Sequence, residues 1–200
     1  ELIRESISNS MDAGAQNITI DLQWVNGDEW NIIIDDDGYG METTHVNAFF
    51  SAGVSLKNYT GGAQPVIGEK GLGSKTCFKA RRIKLETIFH NTNEMIIADM
   101  IDPLAQLQAN ALPTYTENSY PQNQYPAVAS KMAQGVRLEL HGVIIKSWNG
   151  SSCKSNGVID PQKVLDRLMH YVRSFCATGT TKLRHSHKQH IITNVAGANR

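Results

Sequence analysis

Residues 17–24 read Asn-Ile-Thr-Ile-Asp-Leu-Gln-Trp. The alternation is strict, with Ile18, Ile20, Leu22 and Trp24 on one side of an extended chain and Thr19, Asp21 and Gln23 on the other. A period of two fits a strand with one buried face and not a helix, whose apolar stripe recurs every three to four residues. Asn26-Gly27 follows at once, a strong signal for a tight hairpin turn. Trp30 to Asp35 then returns as an Ile-rich strand ending in an acidic, glycine-rich turn. An antiparallel pair of this kind must bury one face, so other elements have to cover it.

Candidates for that cover are present. Ile3, Ile7 and Met11 recur every four positions, which is helical spacing, and Gly14 is a natural left-handed stop. Glu42–Phe50 reads as a second, shorter helix, and Gly73–Ala80 opens a third after a glycine-rich turn. Ile83–Phe89 and Met95–Asp99 form a further strand pair, and Val136–Ile145 resumes as strand. Asp160-Pro161 is an N-cap with proline at the first helical position, starting a helix to about Cys176 with Val164, Leu165, Leu168, Val172 and Phe175 on its apolar side. Residues 51–67 are small, polar and glycine-dotted, and read as a mobile loop. Residues 103–134, rich in proline and tyrosine, read as a long surface loop or insertion with a short helix at Leu104–Ala111. No internal repeat is visible, and the order of elements predicts a single layered α/β domain over residues 1–200.

Composition narrows the function classes. Lys+Arg and Asp+Glu both number 19, so a net charge of zero argues against a whole-surface grip on nucleic acid or an anionic membrane. No apolar run is long enough to span a bilayer, so no membrane partner is expected. Cys77, Cys153 and Cys176 have no C-x-x-C spacing and suggest neither a disulfide framework nor a cysteine zinc site, which makes a reduced, cytoplasmic setting the default. The chain opens on Glu1 inside a helix-like stretch, as a piece of a longer polypeptide would.

Three short segments carry the chemistry. Glu5, Asn9 and Asp12 share a face of the first helix, which reads either as a solvated polar face or as a pocket wall. In the second case Glu5 serves as general base and the Asn9 amide oxygen holds a hard cation such as Mg²⁺. Asp35-Asp36-Asp37-Gly38-Tyr39-Gly40-Met41 reads as an acidic turn, or as a strand end offering one carboxylate to an exocyclic amine such as that of adenine. It lacks the later carboxylates of a calcium loop. Gly68-Glu69-Lys70-Gly71-Leu72-Gly73-Ser74-Lys75-Thr76 can turn backbone N–H groups toward phosphate. It is not a P-loop, because Ser74 stands where that motif has lysine and Lys75 comes one residue late, about 100° around a helix.

Taken together, the segments resemble the GHKL ATPase superfamily, which includes DNA gyrase, the large heat-shock chaperone, histidine kinases, MutL and the MORC proteins. Glu5-x-x-x-Asn9-Ser10-x-Asp12-Ala13-Gly14-Ala15 is similar to the family's N-box, closest in look to the MutL form. Asp36-x-Gly38-x-Gly40 and Gly68-x-x-Gly71-x-Gly73 match its second and third motifs in order and spacing. The resemblance implies a Bergerat-type two-layer α/β sandwich, with a mixed sheet, helices on one face and an ATP lid at 51–67. It implies Mg²⁺-dependent ATP binding and hydrolysis, with Glu5 as general base, Asn9 as the magnesium ligand and Asp36 on the adenine amino group. Ala13, Gly40 and Met41 would surround the base, with Asp12 and Gly38 also among the cofactor-binding residues. Gly68, Lys70, Gly71, Leu72, Gly73, Ser74 and Lys75 would cradle the phosphates, with Lys57 a further phosphate contact from the lid. The glutamate at position 5 favours hydrolysis over the phosphotransfer of histidine kinases. ATP sensing without turnover is the other alternative. Partners implied are the protein's own downstream domains, a nucleotide-dependent second copy, and nucleic acid through the full-length protein. Where the family often opens a late strand with Gly-Thr, this chain has Gly135-Val136.

Two other features are weighed. His185, His187 and His190 form an H-x-H-x-x-H tract, read as a polar tail or a metal site. Lys79, Arg81, Arg82 and Lys84 form a basic cluster, read as complementing a helix end or as a nucleic-acid contact.

Overall fold

The computed structural model describes residues 2–26, 28–51, 73–126, 132–144, 154–156, 158–160, 162–164, 166–167, 170, 180–185 and 188–193. The helix α1 (Leu2–Asp12) leads into the hairpin of β1 (Asn17–Asn26) and β2 (Glu29–Asp36), followed by α2 (Thr43–Phe50). A 3₁₀ helix (Gly73–Lys79) precedes β3 (Arg82–Ile88) and β4 (Glu94–Ile101), then come α3 (Pro103–Gln108), β5 (Thr116–Pro121) and β6 (Gly135–Ile144). β7 (Lys154–Ser155) and β8 (Val158–Ile159) make a small ribbon, and β9 (Thr180–His185) and β10 (Lys188–Thr193) close the order. Among the described residues the main sheet has eight strands in the order β10-β9-β1-β2-β6-β3-β4-β5. Only β1 and β9 are parallel, so the sheet is mixed, as expected.

Alternation sorts the sheet into two faces. Ile18, Ile20 and Leu22 of β1, Trp30, Ile32 and Ile34 of β2, Leu138 and Leu140 of β6, Ile83 and Leu85 of β3 and Ala98 and Met100 of β4 are buried in one continuous core. Ile7 of α1, Val46 and Phe50 of α2, Phe78 of the 3₁₀ helix and Val164 belong to the same core, so the helices cover this face. The opposite face carries ion pairs within and between strands: Asp35 with Arg137, Arg137 with Glu139, Lys84 with Glu86 and Arg82 with Asp99. This is the two-layer arrangement that the family resemblance implies.

Four expectations change. Trp24 has the parity of the buried face but is 44% exposed, near the end of β1 where the register slips between Trp24 and Asn26. Residues 103–134 are not all loop: β5 adds an edge strand to β4, its backbone bonds outweighing a sequence with no apolar alternation. In the tail, Thr180–His185 and Lys188–Thr193 are strands rather than frayed, because β9 pairs with the free edge of β1. The third helix is a 3₁₀ turn. At the late helix, Asp160 Oδ1 accepts the backbone N–H of Gln162 at 3.0 Å, as the cap predicts, and the described positions 162–164, 166–167 and 170 are helical. Leu165, Leu168, Val172 and Phe175 lie outside the described residues.

Candidate functional site

Three consecutive carboxylates in one pocket would repel one another, and the end of β2 sends them three ways. Asp35 lies on the helix-free face, where Arg137 Nη1 donates to both of its oxygens at 2.8 and 3.0 Å. Burial raises its pKa, and the guanidinium opposes that rise. Asp36 lies on the helix-covered face. Its Oδ2 accepts the Ser10 hydroxyl at 2.8 Å and its Oδ1 accepts Gly38 N–H at 3.0 Å. Burial pushes its pKa above the ordinary carboxylate value, with the Ser10 hydroxyl and the nearby backbone pulling the other way. Asp37, just past the strand, accepts the backbone N–H groups of Gln16 and Asn17 on Oδ1 and the Asn17 amide on Oδ2, each at 2.7 Å. Burial alone would raise its pKa, but the bonds from Asn17 and Gln16 hold it below the usual range.

These bonds seat the second motif against the first helix. Tyr39 N–H donates to Ala13 O at 2.9 Å, and a Cβ at Gly38 would come within 2.9 Å of the same carbonyl. Gly40 has φ +72°, and a Cβ there would fall 2.1 Å from the Ile88 carbonyl oxygen, so the loop can pass only as glycine. Met41 is partly buried against the core, and its N–H donates to Thr87 Oγ1 at 2.7 Å. Asp36, Ala13, Gly38, Gly40 and Met41 are thereby brought together.

Glu5 and Asn9 are half buried on α1, and Asp12 is exposed at its end. Arg4 Nη2 pairs with Glu5 Oε1. Lys75 takes a place the sequence did not suggest. Its Nζ donates to the carbonyls of Ala48 and Phe49 at 2.9 and 2.6 Å, satisfying orphan acceptors at the C-terminal end of α2, and lies 5.6 Å from the centre of the Phe78 ring. Burial lowers its pKa to about 8. The Gly73 and Ser74 backbone opens the 3₁₀ helix. Lys57, Gly68, Lys70, Gly71 and Leu72, with the whole lid segment after Ser51, lie outside the described residues.

Sequence reasoning passed over Ser10, Thr87 and the separate duties of Asp37 and Arg137. Ser10 sits inside the first motif, and Thr87 is a polar residue at a core-face position of an alternating strand, a signal that was available. The basic cluster resolves into pairs, Arg82 with Asp99, Arg81 with Glu29 and Lys84 with Glu86. Among the described residues no group of three or more His, Cys, Asp or Glu side chains is placed to hold a metal ion. His185 and His190 fall on β9 and β10, where His190 stands opposite Leu183 and not His185, and His187 lies outside the described residues. No helix of the described residues is long and apolar enough to cross a membrane.

A mixed sheet covered on one face by helices, with a half-buried carboxylate at a strand end facing a helix that carries Glu and Asn, is the Bergerat type of fold. The chain belongs to the family of histidine kinase-, DNA gyrase B- and HSP90-like ATPases, whose profile matches residues 1–132. Its structure is similar to that of the N-terminal domain of a DNA repair protein, with a TM-score of 0.58 at 16% identity over 98% of this chain and 53% of that one. It is also similar to the Aquifex aeolicus MutL ATPase domain complexed with ADP, with a TM-score of 0.52 at 13% identity over 94% and 59% of the two chains. At such identities the likeness is one of fold, and this chain spans little more than half the length of either. No curated protein matches it in sequence.

Proposed function

We propose that the chain binds ATP with Mg²⁺ and hydrolyses it, as the nucleotide-driven switch of a larger protein. The observation that carries this reading is the Asp36 carboxylate, half-buried on the helix-covered face and fixed by Ser10 and Gly38. A carboxylate already holding one donor on each oxygen is a rigid acceptor, suited to the exocyclic amine of adenine. Met41 and Ala13 supply apolar contact beside it. Asn9 offers a single neutral amide oxygen one helical turn from Glu5, which fits Mg²⁺, a cation that takes few protein ligands and keeps water and phosphate oxygens. Bound there, the metal would neutralise phosphate charge. Glu5 would accept a proton from the attacking water. The backbone of residues 68–75 would surround the phosphates. Nucleotide-dependent pairing with a second copy, and transmission to downstream domains, complete the proposal.

A second reading, nucleotide sensing without turnover, draws support from the pairing of Arg4 with Glu5, which occupies the proposed base. Thermal unfolding with and without Mg-ATP, beside Asp36→Asn, tests binding. A ligand at about 100 times its Kd adds about 2.7 kcal/mol, a shift of several degrees. A shift in the parent that vanishes in the variant supports the adenine assignment, and an equal shift in both refutes it. For turnover, phosphate release by the full-length protein should fall at least about a hundredfold in Glu5→Ala. Release unchanged by that substitution removes Glu5 as base, and binding without any release favours the sensor.

A further inference from the structure

Asp36, Val136 and Thr87 stand in one row across β2, β6 and β3, on the helix-covered face. Thr87 is fully buried, and its hydroxyl is used twice. It accepts Met41 N–H at 2.7 Å and donates to Gly135 O at 2.9 Å. The Gly135 carbonyl and the Val136 N–H belong to the same peptide group, and Val136 stands opposite Asp36 in the β2–β6 ladder. A line of hydrogen bonds therefore runs from Met41 N–H through the Thr87 hydroxyl to the carbonyl of the Gly135–Val136 peptide, and that peptide lies against Asp36 in the ladder. Each bond in such a line polarises the next, and the fully buried Thr87 hydroxyl cannot turn to water for a substitute.

The surrounding backbone leaves this line no slack. Gly135 has φ +112°, and a Cβ there would lie 2.0 Å from the Asp36 carbonyl oxygen. At the other end, Gly40 is pressed against the carbonyl of Ile88, the residue after Thr87. Packing thus holds both loops against β3 and β6, and the Thr87 hydroxyl is the polar group that connects them.

We propose that Thr87 is a positioning residue for recognition of the base: it fixes Met41, which lies against the ring, relative to Asp36, which binds its edge. The inference rests on the nucleotide reading above and adds to it a residue outside all three motifs. Thr87 makes no contact with the nucleotide; it acts through the peptide that lies against Asp36 and through the amide of Met41. Replacing the hydroxyl by a methyl of the same shape leaves Met41 N–H and Gly135 C=O unpaired and frees the two walls of the base site from each other.

The test compares the wild-type full-length protein with Thr87→Val and Thr87→Ser, using Mg-ATP and inorganic tripolyphosphate, which carries the phosphates without the base. Thr87→Val should weaken ATP binding about tenfold or more while changing tripolyphosphate binding less than about twofold, and Thr87→Ser should restore ATP binding. A role in stability alone would weaken both ligands together, and that result overturns the proposal. So does ATP affinity in Thr87→Val equal to wild type. Should Thr87→Val fail to fold, Thr87→Cys keeps the volume with a weak donor, and wild-type ATP affinity in that variant is equally fatal. ATP binding that Asp36→Asn abolishes and Thr87→Val leaves intact sinks this inference alone, whereas a wild-type protein that binds no ATP sinks the nucleotide reading with it.

Discussion

Ser10 Oγ donates to Asp36 Oδ2 at 2.8 Å, joining α1 to the end of β2 across 26 positions of sequence. The bond ties the helix that carries Glu5 and Asn9 to the strand that carries the proposed base acceptor. Helix and strand therefore meet at the site through a polar contact as well as through their shared core. Four variants separate the parts of this arrangement.

Asp36→Asn removes a charge whose burial opposes folding, as the raised pKa of Asp36 indicates. The Asn oxygen can keep one of the donors, and Ser10 can reverse its hydroxyl. We expect an unfolding midpoint at pH 7 no lower than that of wild type, together with at least about a hundredfold weaker ATP binding. A large loss of stability would mean that the carboxylate is structural first.

Asp37→Ala should act on the fold. It leaves the N–H groups of Gln16 and Asn17 without their acceptor and loosens the turn from α1 into β1, a loss of about 2 kcal/mol in urea unfolding at pH 7. The folded pKa of Asp37 is depressed, so its contribution is present above the ordinary carboxylate pKa and fades as pH falls through the folded value. The gap between variant and wild type should therefore close on acidification below about pH 4. A gap that persists at pH 2 contradicts the assignment.

Lys75→Met removes the donor from the end of α2. Burial lowers the folded pKa of Lys75 from 10.5 to about 8, so between those values the unfolded chain holds a proton that the folded one has released. Stability from this group then rises with pH, and neutral Lys75 still has two N–H donors for its two carbonyls. Cys77 runs the other way, since burial pushes its thiol from 9.0 to about 12 and withdraws stability as the unfolded thiol ionises. The difference between wild type and Lys75→Met isolates the lysine. It should grow in favour of wild type from pH 8 to pH 10 in denaturant titrations, and a flat difference would place Lys75 in solvent.

Gly135→Ala sets a methyl 2.0 Å from the Asp36 carbonyl oxygen at a positive φ of +112°. No side-chain movement relieves a clash with backbone, so strand β6 or the second motif must shift. We expect a destabilisation of about 3 kcal/mol or more, with ATP binding lost in whatever fraction remains folded. Chemical denaturation and nucleotide titration on the same preparation check both parts.

Much of the fold could be read from local pattern. Alternation through Ile18, Ile20 and Leu22, the turn near Asn26, the spacing of Ile3 and Ile7 and the Asp160 cap each act within a few residues, and each appears where expected. The first two motifs are equally local. Residues 5–41 form helix, hairpin and turn in one stretch, so their order in sequence is close to their order in space. The failures have a common character. Trp24 has the right parity but lies where the register slips, and β5 and β9 are strands because an edge was free to receive them.

The sequence alone determined which face of β1 is buried and where α1 and the late helix begin, because hydrophobic period and turn chemistry are short-range properties of the chain. Tertiary structure alone decided which strands are neighbours, and with that the fate of every buried polar group. Asp35, Asp36 and Asp37 are alike as a sequence, yet one pairs with Arg137, one is held by Ser10 and one closes the turn at Asn17. Thr87 finds Gly135 across 48 positions only because β3 lies beside β6. A hydrogen bond between distant residues depends on distance and direction in space, and it leaves no period in the sequence from which it could be foreseen.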